Sequence, residues 1–165
     1  MEGEDQEYEF RYGVEDYDLI FPNVYQSGYE TAQDKETLLN LGITHILSVG
    51  NEFDEDFPDK FIYKTCGLYD DEDEDIKQYF REGIEFIEQC LKQKGTVLVH
   101  CVAGVSRSGS MMTAYAMFRE GFTFPEALEY VTSRRKKVYP NQGFRKQLEE
   151  FEKELQFEKS DEKFQ

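Results

Sequence analysis

From Pro22 onward the apolar positions of this chain recur with two different periods. Asn23 to Ser27 reads as a short strand. Thr44-His45-Ile46-Leu47-Ser48-Val49 is a β-branched, apolar run of strand length, and Phe61 to Cys66 is another. Thr96-Val97-Leu98-Val99-His100 is apolar without clean alternation, as a central strand covered on both faces should be. Helical spacing fills the intervals. Asp34 to Leu41 predicts a helix stopped by Gly42. Ile76, Phe80, Ile84, Ile87 and Leu91 repeat every third or fourth residue, so one stripe of that helix faces a core. Another helix is expected from Arg107 to Glu120, ended by Gly121. Thr123-Phe124-Pro125-Glu126 announces the next, with Thr123 as cap and Glu126 closing a capping box. Phe144, Leu148, Phe151 and Leu155 mark the last.

Strands alternating with helices, then a helical second half, predict an α/β fold. A central, mostly parallel sheet of about four to five strands should be flanked by helices. Residues 1–18 are acidic and turn-rich and are expected to form a loosely packed arm. One folded domain is expected over 19–157, followed by a polar tail over 158–165, with no internal repeat or dividing linker.

Composition sharpens this picture in two respects. The formal net charge of −16 repels nucleic acid and anionic membrane in bulk, so any anion site must be a local positive focus. Cys66, Cys90 and Cys101 are odd in number and lack metal-ligand spacing, which predicts neither a disulfide framework nor a metal site. A reducing compartment, cytoplasmic or also nuclear, fits that usage. The N-terminus, charged from Glu2 onward, is not expected to be a signal peptide. No apolar run approaches the ~18 residues needed to span a bilayer. A monomer without cofactor is the expectation.

The chemistry concentrates in His100-Cys101-Val102-Ala103-Gly104-Val105-Ser106-Arg107-Ser108, which leaves an apolar strand and enters a predicted helix. A tight small-residue loop between strand and helix N-terminus forms a nest of backbone N–H groups, suited to a tetrahedral anion such as phosphate. Gly104 supplies the backbone freedom the loop needs. The segment lacks the Gly-Lys-Ser/Thr ending of a nucleotide-binding loop. Cys101 opens the loop, where the same donors favour a thiolate aimed at phosphorus. Arg107 returns to the mouth with a planar fork matched to two phosphate oxygens. Ser108 can donate a hydrogen bond to the sulfur and help it leave. His100 is expected to order the loop rather than act as a base.

His100-Cys101, five residues, then Arg107-Ser108 resembles the signature of cysteine-based protein phosphatases, in its dual-specificity form. The likeness spans about Pro22 to Leu155. It includes Gly42-Ile43-Thr44-His45-Ile46-Leu47 and Tyr139-Pro140-Asn141-Gln142-Gly143-Phe144. It implies hydrolysis of phosphotyrosine and phosphoserine or phosphothreonine through a phosphocysteine. Phosphorylated proteins would be the partners, MAP kinases among the candidates. It further implies a general acid shortly before the Phe80 helix, drawn from Asp70, Asp71, Asp73 and Asp75. Matching Ile76 and Tyr79-Phe80 to the family's apolar positions selects Asp70, with Asp71 as runner-up. Val102 and Val105 stand where phosphoinositide-directed members tend to carry lysine, which disfavours a lipid substrate. RNA phosphatase activity is disfavoured by the net charge, and a non-catalytic phosphoprotein-binding module by the presence of both Cys101 and Arg107.

Three further readings concern single segments. Arg134-Arg135-Lys136-Lys137 is read as the solvated last turn of a helix, with docking of an acidic partner as the alternative. Cys66 and Cys90 are read as buried small hydrophobes. A reversible Cys66–Cys101 disulfide would require their strands to be neighbours. Asn141 either caps the last helix or, as the resemblance implies, braces the loop.

Overall fold

The structure is a computed structural model that describes residues 11–163. Five strands form one sheet in the order β1-β2-β5-β3-β4. They are β1 (Tyr17–Phe21), β2 (Val24–Ser27), β3 (His45–Val49), β4 (Ile62–Cys66) and β5 (Val97–His100). All neighbours are parallel except β1, which pairs antiparallel to β2. Among the described residues the α-helices are α1 (Tyr29–Ala32), α2 (Lys35–Asn40), α3 (Lys77–Lys92), α4 (Arg107–Glu120), α5 (Phe124–Arg134) and α6 (Gln142–Glu162), preceded by a 3-10 turn at Gly13–Glu15.

Every residue of β3 and β5 is buried, which accounts for their unbroken apolar runs. Successive side chains point to opposite faces. Leu47, Val49, Val97 and Val99 join the core beneath the long helices α3 to α6, whereas Ile46 and Leu98 join Leu38, Ile43 and Phe61 on the other face. Helix α4 is buried continuously from Arg107 to Met117, so the phosphate loop ends on the most enclosed helix of the fold. The Thr123–Glu126 capping box is formed. Among the described residues, no helix is long and apolar enough to cross a membrane.

The loosely packed arm expected over 1–18 does not describe residues 11–18. Tyr17 and Asp18 are already paired with β2, and Asp16 is buried. Long-range pairing, invisible in the local acidic composition, orders them. Residues 1–10 lie outside the described part. The polar tail expected over 158–165 is helical through Glu162, because α6 continues past the core with an exposed polar surface. The four-residue α1 was not anticipated, being too short for a periodic signal.

Sheet order also removes the premise of a Cys66–Cys101 disulfide. Strand β3 lies between β4, which ends at Cys66, and β5, which leads to Cys101. Burial pushes the Cys66 thiol up to about 12, with Glu82 adding to the shift. Cys66 and Cys90 are both buried, and neither forms a disulfide.

Candidate active site

The loop from Cys101 to Ser106 sits at the carboxyl end of β5, between two parallel neighbours, where open α/β sheets bind ligands. Its carbonyl groups are tied down one after another from outside. Val102 O accepts from Tyr29 N (3.0 Å) and Val105 O from Tyr139 N (3.0 Å). Gly104 O accepts from Arg135 Nε (2.9 Å), and Ala103 O from Arg135 Nη2 (3.4 Å). In a planar trans peptide the N–H points opposite to the carbonyl. The amides of Ala103, Gly104, Val105 and Ser106 are therefore turned to the other, concave side. Gly104 holds φ at +68°, and a Cβ there would lie 2.3 Å from Arg135 Nη2. This cradle is built by residues distant in sequence.

Arg135 is the principal buttress. Its side chain is fully buried and makes a two-pronged pair with Asp16 (2.9 and 3.1 Å), with Asp18 Oδ2 at 3.0 Å. Lys137 Nζ joins Asp16 at 2.9 Å. The reading of the basic run as a solvated helix end is thus corrected at Arg135, and so is its alternative as a dock. A guanidinium with every donor engaged can be buried, provided that Asp16 and Asp18 come from across the sheet. Arg134 alone fits the original reading, in the last turn of α5.

Cys101 and Arg107 are both buried, at 2% and 5% exposure. Cys101 Sγ lies 3.1 Å from Ser108 Oγ. Arg107 Nη1 donates to both carboxylate oxygens of Glu52 (3.0 and 2.9 Å) and to Leu68 O (3.0 Å). One corner of the guanidinium is thereby anchored while the plane keeps two further nitrogens for an anion. Behind the loop, His100 Nε2 meets Ser48 Oγ at 2.7 Å, and Nδ1 lies 3.4 Å from Cys101 O. A carbonyl only accepts, so Nδ1 carries the proton and Ser48 donates to Nε2. Burial lowers the imidazole to about 4, with the Arg107 charge adding to the effect and the backbone bond opposing it. His100 is thus held in its neutral form between the Ser48 hydroxyl and the Cys101 carbonyl.

Of the four acidic candidates, Asp70 is held over the loop by Asn141. Asn141 Nδ2 donates to Asp70 Oδ1 at 2.9 Å, while its backbone N–H donates to Ser106 Oγ at 3.0 Å. Asn141 Oδ1 also caps α6 at Phe144 N (2.9 Å), so both readings of that residue apply together. Asp71 and Asp75 are engaged by their own backbone, accepting from Asp73 N and Gln78 N. The acidic segment packs tightly against Gly143, where a Cβ would lie 1.9 Å from Glu72 O.

Sequence reasoning missed Gln26, Ser48, Glu52 and the role of Arg135. Glu52 carried a usable signal, because it follows the apolar strand β3 at the carboxyl edge of a parallel sheet. The others carried none, since each acts through a partner on another element.

A mostly parallel sheet, a backbone anion cradle, and a cysteine and an arginine inside it define the class: a phosphatase domain of the α/β type. The chain belongs to the dual-specificity phosphatases. The profile described as "Dual specificity phosphatase, catalytic domain" matches residues 24–154. "Dual specificity protein phosphatase 1" of Arabidopsis thaliana is 39% identical over 138 residues, covering 84% of this chain and 70% of that protein. "MAP kinase phosphatase with leucine-rich repeats protein 1" of Dictyostelium discoideum is 41% identical over 138 residues, 84% of this chain but only 16% of that protein. Among solved structures, the human tyrosine phosphatase-like serine/threonine/tyrosine-interacting protein superposes with a TM-score of 0.78 at 34% identity. The match covers 82% of this chain and 95% of that one. The protein is a protein phosphatase.

Proposed function

We propose that this chain dephosphorylates phosphotyrosine and phosphoserine or phosphothreonine in proteins through a phosphocysteine on Cys101. The thiolate attacks phosphorus in line, the bond from phosphorus to the substrate oxygen breaks, and Asp70 gives its proton to that oxygen. Water then attacks phosphorus and passes a proton to the Asp70 carboxylate. The S–P bond breaks with its electron pair returning to sulfur, which Ser108 stabilises by donating a hydrogen bond. Arg107 and the inward amides of 103–106 hold the equatorial oxygens as charge redistributes. Inorganic phosphate leaves, and the acid and the thiolate are restored.

The observation carrying this reading is the set of four outward-tied carbonyls above a sulfur with a hydroxyl donor 3.1 Å away. It supports catalysis over simple phosphoprotein binding, since a binding module has no need of a donor on the sulfur. Val102 and Val105 leave the loop without an ammonium for a second phosphate, which supports protein over phosphoinositide substrates. The name of the Dictyostelium relative supports MAP kinases among the substrates tested first.

Acid-quenched turnover of an aryl phosphate, followed by denaturing intact-mass measurement, tests the mechanism. A phosphate adduct should appear on Cys101, and Cys101→Ser should abolish both adduct and hydrolysis. Undiminished hydrolysis by Cys101→Ser would end the reading. A panel of phosphopeptides and 5′-phosphorylated RNA then ranks substrate classes.

A further inference from the structure

The hydroxyl of Ser108 faces a choice that the rest of helix α4 resolves differently. Ser110 Oγ donates to Ser106 O (2.7 Å) and Thr113 Oγ1 to Gly109 O (2.7 Å), each four residues back. The equivalent acceptor for Ser108 is Gly104 O. That oxygen already receives Arg135 Nε at 2.9 Å and Gln26 Nε2 at 3.4 Å, which occupy both of its lone pairs. Gln26 Nε2 also lies 3.0 Å from Ser108 Oγ. Gly104 O can only accept, so the nitrogen of the Gln26 amide must face it. The second amide hydrogen then enters a lone pair of Ser108 Oγ, and the hydroxyl proton is left for Cys101 Sγ, 3.1 Å away.

Gln26 is fully buried on β2, opposite Val99 of β5, and its Oε1 finds no partner among the described residues. A buried acceptor without a donor costs stability. The amide nitrogen, by contrast, is fully used, one hydrogen on Gly104 O and the other on Ser108 Oγ.

We propose that Gln26 is a positioning residue of the phosphatase reaction: its amide aims the Ser108 hydroxyl at the sulfur and so speeds breakdown of the phosphocysteine. The proposal rests on Cys101 as nucleophile. It assigns a polar core residue of a neighbouring strand to the second chemical step, when the electron pair of the S–P bond returns to sulfur.

Gln26→Met keeps the side-chain length and removes both amide atoms. Its thermal midpoint should stay near that of the parent, because loss of the amide's two hydrogen bonds is offset by loss of the unpartnered Oε1. Steady-state kcat on p-nitrophenyl phosphate should fall about fivefold, the value of one lost hydrogen bond. Nitrophenol release should show a burst, with phosphate adduct accumulating on Cys101. In a Ser108→Ala background the same substitution should change nothing further. Gln26→Glu, which offers an acceptor in place of the donor, should lower kcat more than Gln26→Met while keeping the shape of the site. The proposal is overturned if Gln26→Met and Gln26→Glu turn over like the parent without a burst. Equal loss on adding Gln26→Met to the parent and to Ser108→Ala also overturns it. If the parent itself never forms the adduct, the nucleophile assignment fails. If the parent forms it and the variants do not accumulate it, only the role of Gln26 fails.

Discussion

Asn141 Nδ2 holds Asp70 Oδ1 at 2.9 Å while the same residue's backbone N–H holds Ser106 in the phosphate loop. One residue thus ties the candidate acid to the loop that carries the candidate nucleophile. The link runs between segments 71 residues apart in sequence.

Asn141→Asp keeps an oxygen to cap α6 but loses the donor to Asp70. Its thermal midpoint should stay near that of the parent, while hydrolysis of phenyl phosphate, a poor leaving group, falls about tenfold. Hydrolysis of p-nitrophenyl phosphate should fall far less, since its leaving group needs little protonation. Asp70→Asn should show the same selectivity at about 10²-fold or more. Equal losses on both esters would remove Asp70 from the acid role.

Gly143 marks where the acid-bearing segment rests on α6. A methyl group at this position would overlap Glu72 O, so Gly143→Ala must displace the segment. The leaving-group selectivity of Asp70→Asn should reappear in weaker form, with Cys101 alkylation by iodoacetamide unaffected. A Gly143→Ala enzyme equal to the parent on phenyl phosphate would show that the segment's position does not matter.

Arg135→Met removes the fully buried cation of this set, leaving Asp16 with Lys137 and Asp18 with Arg11, and frees the Gly104 carbonyl of its guanidinium donor. Removing one partner of such a buried set should cost about 3–5 kcal/mol in urea unfolding. Arg135→Lys should recover only part, because a point charge cannot replace the fork that reaches Asp16 and Gly104 O together. A loss below about 1 kcal/mol would mean that the loop is held by other means.

Acid stability should carry the mark of His100. The unfolded imidazole protonates near 6.5 and the folded one only near 4, so the unfolded state binds more protons between those values. Stability is complete above 6.5 and declines as pH falls toward 4, by on the order of 3 kcal/mol from this group. The lowered His45 acts in the same direction. Urea midpoints at several pH values should fall less steeply for His100→Asn than for the parent. An unchanged slope would contradict the buried neutral form.

The exposed acidic segment from Asp70 to Asp75 borders the mouth of the loop. Phosphopeptides with basic flanks should lose kcat/KM as salt rises from about 0.05 to 0.5 M, and those with acidic flanks should gain. If kcat/KM is flat in salt for both, the acidic segment does not select substrates.

Periodicity, caps and the order strand–loop–helix are short-range properties, so the chain itself determined most elements and the cluster Cys101, Arg107 and Ser108. These residues lie on one strand–loop–helix segment eight residues long, so local chain geometry alone brings them together. Tertiary structure decided the rest. Arg135 reads as surface charge until Asp16, 119 positions away, meets it across the sheet. Gln26 reads as an ordinary strand polar residue until β2 settles beside β5 and delivers its amide to Ser108, 82 positions on. Strand order has no local signature, because it emerges from burying many apolar faces at once, and every contact that depends on it is hidden from the linear chain.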